Sequence, residues 1–198
     1  MMRSVTAPGL ATLDRVWTAR TQAERFTRAI VLAAAGTVLL WAASKVQVPF
    51  WPVPATLTTL AVVLIGTFYG SRLGAATVAA YLVEGLAGLP VFAGTPEKGI
   101  GLAYMVGPTG GYLLGYIAAA FVAGYLVERG WGRSIVAMIA AAFAANVALY
   151  ATGLAWLAYL IGFDKSITFG LMPFLAADTL KILIAATVTV AASRRMAR

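Results

Sequence analysis

The chain has 198 residues, of which 61% are apolar and only 11% charged, with a mean hydropathy of +0.87. A soluble domain carries roughly 25% charged residues, so this composition cannot cover a water-facing surface and points to an integral membrane protein. The 15 Lys/Arg against 7 Asp/Glu give +8, and because the basic residues flank apolar runs, the expected anionic partner is the lipid headgroup layer and not nucleic acid.

The absent residue types exclude several chemistries. With no His and no Cys there is no imidazole base, Ser-His dyad, disulfide, thiolate nucleophile or His/Cys metal site, and no metal is expected. No G-x-x-x-x-G-K-[ST] loop occurs, so this chain is not expected to bind ATP in that way. Uphill transport would need energy from another subunit.

In chain order, the first 28 residues hold Arg3, Arg15, Arg20, Arg25 and Arg28, and no apolar stretch precedes Ile30. A cleavable signal peptide is therefore not expected. Leu10, Leu13, Val16, Trp17 and Phe26 would line one side of a short interfacial helix; a solvated basic tail is the alternative. A bilayer core of roughly 30 Å asks for about 20 apolar residues per helix. Six apolar runs follow, over about Ala29–Ser44, Ala55–Tyr69, Arg72–Leu89, Gly111–Val127, Ser134–Leu154 and Met172–Ala192. The predicted fold is all-α, a six-helix polytopic membrane bundle. Its predicted division is a basic tail (1–28), a membrane domain (29–192) and a second basic tail (193–198). An even helix number puts both termini on one side. With cytoplasmic termini, 11 basic residues fall inside and 3 (Lys45, Lys98, Lys165) outside, as the positive-inside rule requires. The expected location is the cytoplasmic membrane of a prokaryote.

Three charges interrupt the apolar runs: Glu84, Asp178 and Lys181. A charge at the bilayer centre costs about 2.5–3.5 kcal/mol on insertion scales, so such residues face a protein interior and a partner. Asp178 and Lys181, spaced i, i+3, share one face of the last helix and can neutralise each other. They form either a packing ion pair or a site in which Lys181 meets a ligand carboxylate and Asp178 accepts from N–H groups. Glu84 lies five residues before Leu89-Pro90 and reads equally as an interfacial carboxylate or a ligand group. Asn146, midway along the fifth run, suits an interhelical hydrogen bond or a polar ligand.

The outer connections supply a second cluster. Gln47, Phe50 and Trp51 stand among prolines after the first run, and residues 92–109 carry Lys98 and Tyr104. Pro fixes backbone angles and Gly permits close approach, so these loops are expected to form an aromatic, Gly-rich lid over the charged pair. An ordinary aromatic belt is the other reading of Trp51. Small-x-x-x-small spacing marks Gly66, Gly70 and Gly74, and also Ala29, Ala33 and Thr37. It allows close helix packing within the bundle or on a partner.

The segments Lys45-Val-Gln-Val-Pro-Phe-Trp-Pro-Val-Pro-Ala-Thr-Leu57, Gly88-Leu-Pro-Val-Phe-Ala-Gly94, Gly101-Leu-Ala-Tyr-Met-Val-Gly-Pro-Thr-Gly-Gly-Tyr-Leu-Leu-Gly115 and Asp178-Thr-Leu-Lys181 resemble the BioY family. These are the biotin-specific substrate-binding (S) components of energy-coupling factor transporters. The resemblance covers roughly Ala29 to Ala192. It implies an S component, not an enzyme, that takes biotin from outside. It also implies docking on a transmembrane coupling subunit driven by two cytoplasmic ATPases, which bind the ATP; no cofactor of the chain itself is implied. Asp178 and Lys181 would serve the biotin site, with Lys98 as the matching loop cation. Asn146, Tyr104, Trp51, Gln47 and Glu84 complete the candidate ligand set. Ala29 and Ala33 would dock on the coupling subunit. Where the family commonly reads Thr-Leu-Gln-Thr, this chain has Thr56-Leu-Thr-Thr59, so no role of that Gln passes to Thr58. A stand-alone vitamin facilitator, an S component for another carboxylate-bearing vitamin, and a homo-oligomer remain open alternatives. An aspartyl intramembrane enzyme is disfavoured because it would want two carboxylates sharing a proton, and Asp178 has Lys181 beside it.

Overall fold

The computed structural model describes residues 21–195. The predicted tail residues up to Arg20, including Leu10, Leu13, Val16 and Trp17, and the last three residues with Arg198 lie outside it.

Helix α1 spans Gln22–Lys45 and begins well before the apolar run does. Its start is fixed by a capping box. The Thr21 hydroxyl accepts from the Glu24 N–H at 3.1 Å, and the Glu24 carboxylate accepts from the Thr21 N–H at 3.3 Å, so two end donors of the helix are satisfied reciprocally. Arg25 and Arg28 therefore ride on the first turns of α1. After α1 the Pro-rich segment folds into a small hairpin. Strand β1 (Gln47–Val48) pairs antiparallel with β2 (Ala55–Thr56), with Gln47 opposite Thr56.

Helices α2 (Thr58–Tyr69) and α3 (Ser71–Leu86) are joined by Gly70 alone. Its φ of +84° lies in a region that side-chain-bearing residues rarely adopt. A short α4 (Gly101–Met105) precedes α5 (Gly110–Glu128). A 3₁₀ turn over Trp131–Arg133 leads to α6 (Ile135–Ile161). Then come α7 (Phe163–Gly170), a second 3₁₀ turn (Met172–Phe174) and α8 (Leu175–Arg195).

The six apolar runs thus become α1, α2, α3, α5, α6 and α8. By length and composition α1, α5, α6 and the segment Phe163–Arg195 can each cross a bilayer, whereas α2 and α3 are shorter. Helix α5 sits centrally, against α2, α3 and α6. Small residues let it pack closely: Gly111 and Gly115 of α5 lie against Thr152 and Trp156 and against Thr152 and Leu149 of α6, and Ala119, Ala120 and Ala123 of α5 and Ala141, Ala142 and Ala145 of α6 are all buried. Large apolar side chains such as Val136, Phe143, Val147 and Leu180 point outward instead. In lipid these outward groups cost nothing, and helices associate through close packing and hydrogen bonds.

The glycine series of α2 and α3 serves that packing inside the bundle. A Cβ on Gly66 would stand 2.3 Å from the Ala120 carbonyl oxygen of α5, and one on Gly124 would stand 2.4 Å from the Ser71 amide nitrogen. Polar ties finish the seams. The hydroxyls of Thr67 and Thr189 meet at 3.2 Å between α2 and α8. The Glu128 carboxylate accepts from the Ser71 N–H at 2.7 Å, which places a negative charge at the start of α3, where the helix dipole favours it.

Candidate ligand-binding site

The C-termini of α1, α3 and α6 and the N-termini of α2, α5 and α8 meet at one end of the bundle. They enclose a cavity there, open at its mouth, with about 540 Å³ of space when the mouth is counted. The β1–β2 hairpin forms part of its wall through Val53, Pro54, Ala55 and Thr56. Aromatic edges tie the hairpin tip to α7 and to the 3₁₀ turn before α8. Phe50 meets Phe174 with centroids 6.0 Å apart, and Trp51 meets Phe169 at 5.9 Å. Tyr112 lines the cavity, and its hydroxyl donates to the Gly170 carbonyl at 2.9 Å, fixing the end of α7.

On the α8 side of the cavity stand Asp178 and Lys181, both buried. Lys181 Nζ donates to Asp178 Oδ1 at 2.8 Å and to Thr59 Oγ1 at 2.9 Å. Tyr150 of α6 donates its hydroxyl to Asp178 Oδ2 at 2.5 Å. Four side chains from α2, α6 and α8 thus form one network. Desolvation makes an isolated buried charge costly, but a pair with its remaining sites hydrogen-bonded is tolerated. The network holds each charge in place and turns it toward the cavity. It is a dipolar surface, with an acceptor carboxylate beside a donor ammonium.

The remaining expected residues divide. Tyr104 is buried on the cavity wall, and its hydroxyl makes no hydrogen bond. Burial pushes its phenol above the ordinary value, so it remains a donor. Asn146 is buried one turn before Tyr150 and does not line the cavity. Its amide donates to the Ala142 carbonyl at 2.9 Å, and its Oδ1 has no partner. It lies near Thr59 and Lys181, between α2, α6 and α8. Lys98 is exposed, with its stem folded over Gly94, and is not on the wall. Trp51 is 74% exposed and Glu84 half-buried, both off the wall. Gln47 pairs through its backbone with Thr56, and its buried Oε1 has no partner. Ala29 and Ala33 are half-buried, on the side of α1 that leads to buried Thr37.

Sequence reasoning missed Tyr150 and Thr59, which complete the charged network, and the wall tyrosines Tyr81, Tyr112 and Tyr116. One signal existed. Tyr150 lies four residues after Asn146, on the same helix face. Tyr150→Phe removes the donor on Asp178 while keeping the ring. A hydrogen bond to a charged group is worth about 1.5–3 kcal/mol. Ligand affinity measured by calorimetry is therefore expected to fall at least about tenfold, with the fold retained.

A multi-helix membrane bundle with an enclosed polar pair and an aromatic mouth defines a membrane-embedded small-molecule binding protein. The family model that matches, over residues 12–198, is described as the BioY family, and the chain belongs to that family. Among similar proteins, the probable biotin transporter BioY of Pyrococcus horikoshii is 34% identical over 165 residues, covering 83% of this chain and 94% of the relative. The biotin transporter BioY of Thermotoga maritima is 36% identical over 162 residues, covering 81% and 93%. That of Rhizobium etli is 38% identical over 172 residues, covering 81% and 90%. The fold is similar to a crystal structure described as the S-component for biotin from an ECF-type ABC transporter. The TM-score is 0.71 at 21% identity, with 89% of this chain and 95% of that chain covered.

Proposed function

We propose that this chain is the biotin-binding S component of an energy-coupling factor transporter. In this reading it captures biotin from outside, and a transmembrane coupling subunit with two ATPases energises its release inside. The observation that carries the reading is the buried Asp178–Lys181 pair on the cavity wall. A ureido group offers N–H donors and a carbonyl acceptor side by side. Asp178 would accept from the N–H groups while Lys181 donates to the carbonyl. This differs from the expectation that Lys181 meets the carboxylate. With Asp178 only 2.8 Å from Lys181 Nζ, a second carboxylate there would be repelled. The carboxylate is better served by the free Tyr104 hydroxyl, and the apolar ring and chain by the aromatic wall.

The distribution of charge supports the direction of capture. Arg25, Arg28, Arg72, Arg129, Arg133, Arg194 and Arg195 all lie at the helix ends opposite the cavity, while Lys45, Lys98 and Lys165 lie on the cavity side. By the positive-inside rule this asymmetry supports an orientation with the arginine-rich helix ends toward the cytoplasm and the cavity mouth outside. Ala29 and Ala33, half-buried near the cytoplasmic end of α1, are the proposed contact for the coupling subunit.

Uptake of labelled biotin by biotin-requiring cells tests this reading. Cells expressing the chain with coupling and ATPase subunits are expected to accumulate biotin, and cells lacking the ATPases are expected to lose the energised part. No stimulation in the complete system would overturn it.

A further inference from the structure

The last two residues of α1 hold a loop that none of the proposed ligand contacts includes. Lys45 Nζ shares its three N–H groups among four acceptors, the carbonyl oxygens of Pro90 at 2.8 Å, Phe92 at 3.0 Å and Thr95 at 3.4 Å, and Thr95 Oγ1 at 3.2 Å. These contacts all fall within residues 90–95, and no carboxylate is among them. Ser44 Oγ, one residue earlier, donates to the Val91 carbonyl at 2.7 Å, which also accepts from the Tyr81 hydroxyl at 2.9 Å. The ammonium thus gathers carbonyls that no helix or strand satisfies, in a segment that follows the end of α3.

The clamped loop reaches the site directly. Ala93 lines the cavity. Phe92 stacks on Tyr104 with centroids 5.1 Å apart and meets Tyr81 edge-on at 5.4 Å, and both tyrosines are on the cavity wall. A shift of residues 90–95 would therefore move Phe92 and, with it, the Tyr104 hydroxyl. We infer that Lys45 is a positioning residue for ligand retention: it latches the 90–95 loop to the outer end of α1, and this latch keeps the cavity closed on its ligand. The inference rests on the biotin reading for its ligand, although the latch is present in the protein by itself.

Ammonium-to-carbonyl hydrogen bonds are charge-assisted and among the stronger ones. Lys45→Met keeps the aliphatic stem and removes every donor. Biotin dissociation from the purified protein, followed by stopped flow, is expected to quicken about tenfold or more. Lys45→Arg, which restores a cationic donor, should recover much of the slow release. Thr95→Val, which removes the Lys45 contact at Oγ1 together with the bond that Oγ1 donates to the Phe92 carbonyl at 2.7 Å, should quicken release by about threefold and guards against a folding defect at Lys45. Backbone hydrogen exchange over residues 89–98, measured without ligand, should rise in Lys45→Met. Wild-type release rates in both Lys45→Met and Thr95→Val would overturn the latch, as would unchanged exchange in the ligand-free Lys45→Met protein. Failure of the wild type to bind biotin would instead overturn the functional reading, and the ligand-free exchange would still decide the latch.

Discussion

Lys181→Ala is expected to lower biotin affinity by at least two orders of magnitude. The substitution removes the donor proposed for the ureido carbonyl and also leaves Asp178 without its cation. Removing one member of a buried ion pair costs about 3–5 kcal/mol, and each 1.4 kcal/mol is a tenfold change in affinity. Part of that cost falls on the fold, since Asp178 is buried and keeps only the Tyr150 hydroxyl. The neutral double variant Asp178→Asn/Lys181→Gln separates the two effects. It retains hydrogen-bonding groups of similar size and carries no unpaired charge, so it is expected to fold with a melting temperature near that of wild type. Its biotin affinity is still expected to fall, because neutral hydrogen bonds replace charge-assisted ones. Calorimetry for binding and thermal melting for the fold check both. A folded double variant that binds biotin as tightly as wild type would remove the pair from the site.

The second large effect concerns the bundle. Gly66→Val should strongly destabilise the protein, because its Cβ would fall 2.3 Å from the Ala120 carbonyl oxygen. That atom belongs to the backbone of α5 and cannot rotate away. Relief requires α2 to move off α5, which would also shift Thr59 and its contact with Lys181. Overpacking a tight interior costs about 1–3 kcal/mol even where side chains can yield, so a backbone clash should reach or exceed the upper end. The readout is a melting temperature lowered by several degrees, with weaker biotin binding alongside. Ala34→Val, on the exposed side of α1, should change little. Equal melting temperatures for Gly66→Val and wild type would show that the α2–α5 seam is looser than described.

The fold was legible where hydropathy is uniform. The six runs were visible because apolar length is a direct requirement of the bilayer, and the charge asymmetry ordered their ends. The start of α1 was less visible. Glu24, Arg25 and Arg28 break the apolar run, yet charged residues are good helix formers, and the Thr21-x-x-Glu24 capping box carries the helix through them. The Gly66–Gly70–Gly74 spacing was visible, but its partner was not, since which face of α2 meets α5 depends on the packing of all the helices.

The site was legible at its charges. Asp178 and Lys181 stood out because a charge in an apolar run needs a reason. Tyr150 and Thr59 did not, because Tyr and Thr occur freely in membrane helices and only their placement opposite the pair gives them a role. Asn146 was read as an interhelical hydrogen-bond former or a ligand group, yet its amide donates to the backbone of its own helix, one turn below the cavity. Lys98 and Trp51 belong to connections whose course is set by tertiary contacts, and neither lines the cavity wall. Lys45 had been counted only as an outer basic residue. Its hold on residues 90–95 depends on carbonyl positions that no side-chain pattern reveals.

The central claim is that the buried pair on α8 reads a ureido group. The most direct test is one calorimetric comparison on the purified wild-type protein, titrated with biotin and with lipoate, which has an apolar sulfur ring, a pentanoate chain and no ureido group. Biotin is expected to saturate one site per chain with high affinity, and lipoate is expected to give no binding at the same concentrations. Equal binding of both, or binding of neither, would contradict the claim.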